Sequence, residues 1–262
     1  MTIQLVLVEP AGPLNVGSVA RLCANFGIAG LRLVAPRCDP LGEEARRMAV
    51  HGVGLLERAT TYPSLAAAIA DCCRVVATSG RGEGEPLVPS PPAEALRWLL
   101  PAAGGEATPQ PVALVFGRED RGLSNDELLQ AGRILQIATG PAYTSLNLSH
   151  AVAVVLHELQ GLRDAAPGRL EPATPVAAAG QAADSGDDPC PRGLLEAALS
   201  DAEALLLEVG YLYPHTAHAR MAKLRGLLQR AQIRPQEVAL LRGMVCQLRW
   251  ASRRPCASGE DH

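Results

Sequence analysis

Residues 143–159, YTSLNLSHAVAVVLHEL, join a polar segment to an apolar helix pattern. Six of the first eight side chains carry a hydroxyl, an amide or an imidazole, and apolar residues then recur every three or four positions up to Leu162. That spacing predicts an amphipathic helix over about 147–163. One capping side chain is enough to begin a helix. The remaining polar groups therefore indicate a ligand or a reaction at the start of this helix.

The chain before this helix alternates between strand patterns and helical patterns. Continuous apolar runs lie at 3–8, 31–35, 74–78, 112–116 and 134–138, with a weaker strand candidate near 55–60. Helical patterns lie between them at 16–26, 65–71 and 94–100. Apolar runs this continuous are typical of strands that are buried on both faces of a parallel sheet. The alternation predicts an α/β layer fold with right-handed crossovers.

Composition divides the chain into three parts. Residues 1–163 form the predicted α/β domain, and residues 164–191, rich in Ala, Pro, Gly and Asp without periodicity, predict a flexible linker. Residues 192–254 carry helical patterns at 193–212, 217–231 and 235–252, and Pro214 ends the first of them. We therefore expect a small all-helical unit after the linker.

The overall composition indicates an intracellular protein. Seven Cys without a C-x-x-C pair argue against a disulfide framework or a zinc site and fit a reducing cytosol. The first ten residues lack the pattern of a signal peptide, and no window of ~20 apolar residues could span a bilayer. These observations predict a cytoplasmic location, no membrane partner and no metal.

The last part of the chain is strongly basic. Nine basic residues and one acidic residue, Glu237, lie between Arg220 and Arg254, in a chain whose net charge is −3. One interpretation is a solvated helix face in an Arg-rich protein. The contrast in charge favours the other interpretation, a surface that binds nucleic-acid phosphates. The candidate RNA-binding residues are Arg220, Lys223, Arg225 and Arg230.

Polar or Gly-rich segments follow several of the predicted strands. They are EPAGPLNVGSVAR at 9–21, SGRGEG at 79–84, GREDRGLSNDEL at 117–128 and TGPAYTSLN at 139–147. In open parallel sheets, ligands bind outside the carboxyl ends of the strands. No Walker A sequence, dinucleotide-binding G-x-G-x-x-G or nucleophile-elbow G-x-S-x-G occurs there, which argues against a nucleotide hydrolase, a Rossmann dehydrogenase and a serine hydrolase.

Three motifs in these segments resemble those of the SpoU branch of the SPOUT RNA methyltransferases. They are N-x-G-x-x-x-R at 15–21, F-G-x-E-x-x-G-L at 116–123 and S-L-N-x-S-x-A-V-A-V at 145–154. Residues 210–245 resemble the helical C-terminal extension of the tRNA (cytidine/uridine) 2′-O-methyltransferase subfamily, whose target is the nucleotide at position 32 of the anticodon loop. The resemblance covers about residues 1–163 and 192–250.

The resemblance implies an α/β fold with a C-terminal trefoil knot, a homodimer, and methyl transfer from S-adenosylmethionine to a ribose 2′-hydroxyl of tRNA. It also implies that the cofactor lies bent in the knot loops. The cofactor-binding residues carried over from the family are Thr78, Ser79, Gly80, Gly117, Ile137, Thr144, Ser145, Leu146 and Asn147.

The same resemblance assigns catalytic roles to Arg21, Asn15, Glu119 and Ser145. A guanidinium stays protonated, so we expect Arg21 to stabilise developing oxyanion charge or to orient a phosphate rather than to act as a base. Asn15 would position Arg21 or the ribose, Glu119 would hold the loops or a partner amide, and Ser145 would hydrogen-bond the reacting hydroxyl. Taken singly, these residues could instead form a salt bridge, a turn and a helix cap.

Two other functions remain open at this stage. The chain could methylate ribosomal RNA by the same chemistry, or it could be an RNA-binding protein with a defunct methyltransferase domain. The C-terminal resemblance favours tRNA, and the intact motif residues argue against a defunct domain.

Overall fold

A six-stranded parallel sheet forms the centre of the molecule, which we describe from a computed structural model for residues 2–80, 86–100, 110–140, 145–165 and 189–253. The neighbouring strands are parallel throughout, in the order β3-β2-β1-β5-β4-β6. The strands are β1 Ile3–Val8, β2 Gly30–Val34, β3 Thr60–Tyr62, β4 Arg74–Ser79, β5 Val112–Phe116 and β6 Arg133–Gln136. The predicted α/β class and parallel sheet are confirmed.

Helices cover both faces of this sheet. They are α1 Pro13–Asn25, α2 Glu43–Ala49, a 3-10 helix Val50–Gly52, α3 Val53–Arg58, α4 Leu65–Ala68, α5 Pro92–Leu99, α6 Asn125–Leu128 and α7 Leu148–Ala165. Leu5, Leu7 and Leu114 face a core with α1, α5 and α7, whereas Val6 and Val115 face a core with α4 and α6. The apolar runs of β1, β4 and β5 contribute buried side chains to both cores, which explains why they are continuous.

The weak strand candidate near residues 55–60 is wrong for most of its length. Residues Val53–Arg58 form a helix, and the strand that follows covers only Thr60–Tyr62. Leu55 and Leu56 are buried in this helix. A short apolar run has no periodicity that separates a buried strand from a buried helical turn, which explains the error.

The C-terminal part is helical, as the sequence predicts. Its helices are α8 Arg192–Glu208, α9 Pro214–Arg230 and α10 Pro235–Ser252, and we call them the helical extension. Proline stands in the first turn of α9 and of α10, where its missing N–H costs no helical hydrogen bond. Leu195, Leu199, Leu212, Met221 and Val238 belong to a separate core of the extension.

The extension is also hydrogen-bonded to the α/β unit. The N–H of Arg192 donates to the carbonyl of Cys72 at 3.0 Å, and the N–H of Gly193 donates to that of Ala70 at 2.8 Å. Most of the predicted linker, residues 166–188, lies outside the described residues, and so do residues 141–144, which include the predicted cofactor residue Thr144. The linker and the knot therefore stay predictions. No helix in the described ranges is both long enough and apolar enough to cross a bilayer.

Gly17 of the first motif serves the packing of two helices. A Cβ atom at this position would lie 2.2 Å from the carbonyl oxygen of Ala45 and 2.8 Å from the Cβ of Met48. The contact holds α1 against α2, so helix packing by itself requires a glycine at this position. In contrast, a Cβ atom at Gly161 in α7 would meet no atom within 4 Å.

These two glycines give a matched test of the packing. We expect Gly17→Ala to lower the free energy of unfolding by about 1–3 kcal/mol, because the new methyl group overpacks the α1–α2 contact. Gly161→Ala should instead raise it by up to about 1 kcal/mol, because alanine is the better helix former. Urea unfolding of both variants checks this, and equal stability of the two would contradict the close approach.

Candidate active site

The carboxyl ends of β4, β5 and β6 bring several predicted cofactor residues to one edge of the sheet. Ser79 pairs with Gln136 and Ala77 with Val115. The same register, continued beyond the strands, places Gly117 level with Ser79, and Ile137 level with Gly80. Adjacent strands are about 4.8 Å apart, so these positions line one side of a continuous edge.

A carboxylate joins the first and second motifs across the neighbouring strands β1 and β5. Glu119 accepts hydrogen bonds from the N–H groups of Ala11 and Gly12, both at 3.1 Å, and from Nδ2 of Asn15 at 3.2 Å. Burial by itself would raise the pKa of Glu119, but the bonds from Ala11, Gly12 and Asn15 hold it below the ordinary value. Glu119 therefore holds the loop after β1 as an anion, and its role in the reaction stays a prediction.

A second ionic cluster, which the sequence did not reveal, ties the same loops together. The guanidinium of Arg118 binds the carboxylate of Glu9 and donates to both carboxylate oxygens of Glu127 at 2.9 Å. Arg37 binds Glu9 at 2.7 Å. Glu9 follows β1, Arg37 follows β2 and Arg118 follows β5. A charged residue directly after a buried strand was the available signal, but its partners are distant in sequence.

Glu9 also has an unusual backbone conformation. Its φ angle is 45°, in the left-handed region that non-glycine residues rarely adopt. Its N–H donates to the carbonyl of Val34 at 2.8 Å, which fixes this conformation at the end of β1. The hydrogen bond from Arg118 is the main cause that lowers the pKa of Glu9 from 4.5 to about 2. The cluster therefore holds the loop that leads into the first motif.

The glycines of the second motif close a tight turn. A Cβ atom at Gly117 would lie 2.4 Å from the backbone of Gly122, whose φ angle is +67°. Arg118 and Gly122 exchange backbone hydrogen bonds at 3.0 and 3.3 Å. The spacing G-x-E-x-x-G thus orients Glu119 toward the β1 loop, and the structure gives Gly117 a packing role in addition to the predicted cofactor contact.

The third motif uses only one of its polar side chains to begin α7. Oδ1 of Asn147 accepts from the N–H of Ser149 at 2.9 Å and from its hydroxyl at 2.8 Å, which is a helix cap. Ser145 has no hydrogen-bond partner among the residues described, and Leu146 is 41% exposed. Thr144 lies outside the described residues. The polarity before α7 therefore exceeds what capping requires, as the sequence indicated.

Thr78 contributes to the edge mainly through its backbone. Its hydroxyl donates to the carbonyl oxygen of Val115 on β5 at 3.1 Å, so the side chain is already engaged. Gly80 is exposed, and a Cβ atom there would meet nothing within 4 Å. Open space at Gly80 and the exposed apolar side chain of Leu146 fit a cofactor that carries a flat aromatic ring.

Arg21 does not join the Asn15–Glu119 cluster. Arg21 lies six residues after Asn15 on α1, which places the two side chains about 120° apart around the helix axis. The side chain of Arg21 is exposed. In the part of the chain that the structure describes, its guanidinium forms no hydrogen bond or ion pair. The salt-bridge alternative is therefore not realised there, and this guanidinium is free to meet a substrate.

The basic surface is smaller than the sequence count indicates. Acidic residues of α8 pair with several of its members: Glu196 binds Arg225 at 2.8 Å, and Asp201 binds Arg242 at 3.3 Å. Arg225, a predicted RNA-binding residue, is thus engaged within the extension. Three predicted members remain exposed on one side of α9, and we call them the α9 basic stripe: Arg220, Lys223 and Arg230.

The described residues contain no group of three or more His, Cys, Asp or Glu that could hold a metal ion. The carboxylates in the loops at these strand ends are already engaged, Glu119 by N–H donors and Glu9 and Glu127 by Arg118. This arrangement suits an organic ligand held by backbone and apolar contacts.

Known proteins match this chain over both parts. The model of the SpoU rRNA methylase family matches residues 2–157, and that of the C-terminal domain of the tRNA methyltransferase TrmJ matches residues 195–258. The chain is 35% identical over 253 residues to the tRNA (cytidine/uridine-2'-O-)-methyltransferase TrmJ of Cronobacter sakazakii, which covers 94% of this chain and 95% of the relative. It is 36% identical over 247 residues to the protein of the same name from Klebsiella pneumoniae, with 94% and 96% covered.

Solved structures agree with this similarity. The crystal structure of TrmJ from Z. mobilis superposes with a TM-score of 0.77 at 29% identity, covering 95% of this chain and 99% of that one. A probable methylase family protein from Haemophilus influenzae gives a TM-score of 0.55 at 26% identity, with 95% and 97% covered.

The Glu9 cluster predicts a pH-dependent contribution to stability. Folding lowers the pKa of Glu9 from 4.5 to about 2. The ionised carboxylate therefore stabilises the folded state fully above pH ~5, and this contribution is lost as the pH falls from about 4.5 to about 2. We expect Glu9→Gln to lower the free energy of unfolding by about 1 kcal/mol at pH 7, and by progressively less below pH 4.5. Urea unfolding across this range checks it, with Asp120→Asn as the control. A pH-independent difference would contradict the pairing.

Proposed function

The chain belongs to the SpoU rRNA methylase family, and from this membership we propose that it transfers a methyl group from S-adenosylmethionine to a ribose 2′-hydroxyl of tRNA, at position 32 of the anticodon loop. The observation that carries the proposal is the junction of the first and second motif segments, in which Glu119 binds the loop that leads into the first motif. The names of the relatives and the match to a tRNA methyltransferase extension support tRNA as the substrate.

S-adenosylmethionine would lie at the carboxyl ends of β4, β5 and β6. Backbone groups of Thr78, Ser79 and Gly80 would line one side, and Ile137 and Leu146 would contact the adenine ring. Gly117, Thr144, Ser145 and Asn147 complete the proposed set. When bound, the cofactor supplies an electrophilic methyl group on a sulfonium.

The residues of the chain would then orient the hydroxyl and stabilise its developing charge. Ser145, which has no described partner, would hydrogen-bond the reacting 2′-hydroxyl. The free guanidinium of Arg21 would stabilise the oxygen as it loses its proton, or hold the adjacent phosphate. Asn15, fixed by Glu119 at 3.2 Å, would act by fixing the first turn of α1. Alignment of oxygen, carbon and sulfur is the main requirement for such a transfer.

Several properties of the assembly belong to the same proposal. We expect a homodimer in the cytoplasm, with residues 1–163 as the catalytic domain, 164–191 as the linker and 192–254 as an RNA-docking extension. The catalytic domain would carry the C-terminal trefoil knot of the family. Family membership supports these expectations, and sedimentation of the purified protein tests the dimer.

The reaction and its site can be tested together. Labelled S-adenosylmethionine is incubated with an unmodified tRNA transcript, which is then hydrolysed in alkali. A 2′-O-methyl group blocks cleavage at its own phosphodiester, so the proposal predicts a labelled, alkali-resistant dinucleotide from the anticodon loop. Labelled mononucleotides would mean base methylation and would contradict the chemistry.

Other outcomes of this assay identify the two alternatives. Transfer to ribosomal RNA but not to tRNA would show that the chemistry is right and the substrate is wrong. Cofactor binding without transfer to either RNA would indicate a defunct catalytic domain.

Arg21 provides a test of the catalytic assignment. We expect Arg21→Ala to reduce turnover by about 100-fold, as the loss of a charge-stabilising donor does in other enzymes. Its affinity for S-adenosylmethionine should change little, because the side chain lies outside the proposed cofactor set. Arg47→Ala, which removes an exposed Arg from α2, is the matched control. Normal turnover of the Arg21 variant would remove this residue from the mechanism.

The α9 basic stripe provides a test of the docking surface. Replacing Lys223 and Arg230 together by Ala should weaken tRNA binding and reduce the slope of log K against log salt by about 2, about one for each phosphate contact. The affinity for S-adenosylmethionine should be unchanged. Arg242→Ala, whose side chain is paired with Asp201, should leave the slope nearly unaltered. An unchanged slope in the double variant would show that Lys223 and Arg230 are solvated and do not contact RNA phosphates.

A further inference from the structure

The helical extension exposes an unusual share of the aromatic residues of the chain. Only 3% of all residues are Phe, Trp or Tyr, yet Tyr211 is 64% exposed, Tyr213 is 57% exposed and Trp250 is 56% exposed. Burial of a large aromatic side chain is strongly favourable. Two exposed tyrosines within three residues therefore require a reason other than folding.

The segment between α8 and α9 holds these tyrosines in a fixed arrangement. Leu212 lies between them, is buried to 3% exposure, and its N–H donates to the carbonyl of Leu206 at 2.9 Å. The carbonyl of Tyr213 accepts from the N–H groups of Thr216 and Ala217, both at 2.9 Å. Tyr211 and Leu212 lie in a bend after Gly210, and Leu212 is buried there while the tyrosines on both sides of it are exposed.

His215 adds a third ring to this surface. Its ring is stacked on that of Tyr213, with 5.9 Å between centroids and 20° between planes. Neither phenol hydroxyl is bonded to another residue among those described. We call Tyr211, Tyr213 and His215 the aromatic platform. It offers flat apolar faces with polar edges, and its backbone is ordered before any partner binds.

The platform is continuous with the α9 basic stripe. Arg220, the first member of the stripe, donates to the carbonyl oxygen of Tyr211 at 3.4 Å. Lys223 and Arg230 lie on the same side of the helix as Arg220. They follow it by three and ten residues, which places both within about 80° of it around the helix axis. No Asp or Glu occurs between Glu208 and Glu237. The surface therefore presents aromatic rings at one end and uncompensated positive charge along the rest.

We infer that the aromatic platform stacks unpaired bases of the tRNA while the α9 basic stripe binds the adjacent phosphates, an inference that rests on the proposed function. Every base has an aromatic face, and proteins recognise unpaired RNA bases by stacking them on Tyr and His rings. The positive stripe complements a phosphate chain, whereas a protein partner would need acidic groups to match it. The platform would thus recognise single-stranded regions of the tRNA, and the α9 basic stripe would supply much of the affinity for its phosphates.

The test compares variants of the full-length protein in binding to an unmodified tRNA transcript. Loss of one stacked base lowers affinity roughly 5- to 100-fold, and we expect this for Tyr213→Ala and Tyr211→Ala. Tyr213→Phe should bind as the wild type does, because it keeps the ring. Trp250→Ala removes an equally exposed aromatic residue from α10 and should have little effect. Thermal unfolding confirms that each variant is folded.

Two further readouts separate stacking from other roles. The salt slope of the Ala variants should equal that of the wild type, because no phosphate contact is lost. The fluorescence of 2-aminopurine, placed in turn at unpaired positions of the transcript, should be quenched by the wild type at one or more positions. Tyr213→Ala should abolish that quenching.

If the Ala variants bind tRNA and quench 2-aminopurine as the wild type does, the inference about the aromatic platform is wrong. The proposed tRNA methylation would not be affected by that result. The same holds if Tyr213→Ala alters the sedimentation of the protein without altering RNA affinity, because the rings would then form a subunit contact. A wild-type protein that neither binds nor methylates tRNA would refute the proposed function, and the inference with it.

Discussion

The carboxylate of Glu119 is the contact on which the candidate site depends. It joins a loop after β5 to the loop after β1 through hydrogen bonds from Ala11, Gly12 and Asn15. β1 and β5 are neighbours in the sheet although more than a hundred residues separate them in the chain. A single anion that accepts from three N–H groups thus fixes the start of α1 relative to the edge where the cofactor would lie. Without it, the first and second motifs would have no direct polar link among the contacts described.

Rigid packing and ionic pairing support this contact from both sides. The strands beneath it are fully buried, and close-packed interiors transmit small displacements instead of absorbing them. The pair of Glu9 and Arg118 holds the preceding residues of the same two loops, and Arg118 reaches on to Glu127 in α6. The glycine pair Gly117 and Gly122 allows the turn that aims Glu119. Pre-organisation of this kind is what a transfer reaction between two bound molecules requires.

In the proposed function, the α/β unit carries the chemistry and the helical extension docks the RNA. The motif residues lie at the sheet edge, whereas the free cations and exposed aromatic rings lie on the helical extension. Pairing of Arg225 and Arg242 with acids of α8 concentrates the uncompensated charge on one side of α9. An RNA bound there would be selected by the extension and modified by the α/β unit. The contacts of Arg192 and Gly193 with the α/β unit give the extension a defined position for that task.

Much of this arrangement follows from the sequence, because the decisive signals are local. Unbroken apolar runs such as Leu5 to Val8 identified the parallel sheet, and the polar surplus before Leu148 predicts a functional site at the start of α7. The misassigned segment around Leu55 shows the limit of local patterns, since burial there is the same for a strand and a helical turn.

Long-range contacts account for the remainder. The Glu9–Arg118 pair joins residues 109 apart, and the pairing of Arg225 with Glu196 requires α8 to lie against α9. Neither leaves a periodic signal in the sequence. The packing role of Gly17 was equally hidden, because the spacing of the first motif is the same whether its glycine meets a ligand or Ala45.

The most direct test of the account is amide hydrogen exchange of the full-length protein with and without S-adenosylmethionine. If the cofactor lies at the carboxyl ends of β4, β5 and β6, protection should increase at residues 79–80, at Gly117 and at residues 145–147. The exchange of residues 60–62, at the far edge of the sheet, should not change. Increased protection centred on β2 and β3 would contradict the site described here. So would unchanged exchange at residues 79–80, 117 and 145–147 in the presence of saturating cofactor.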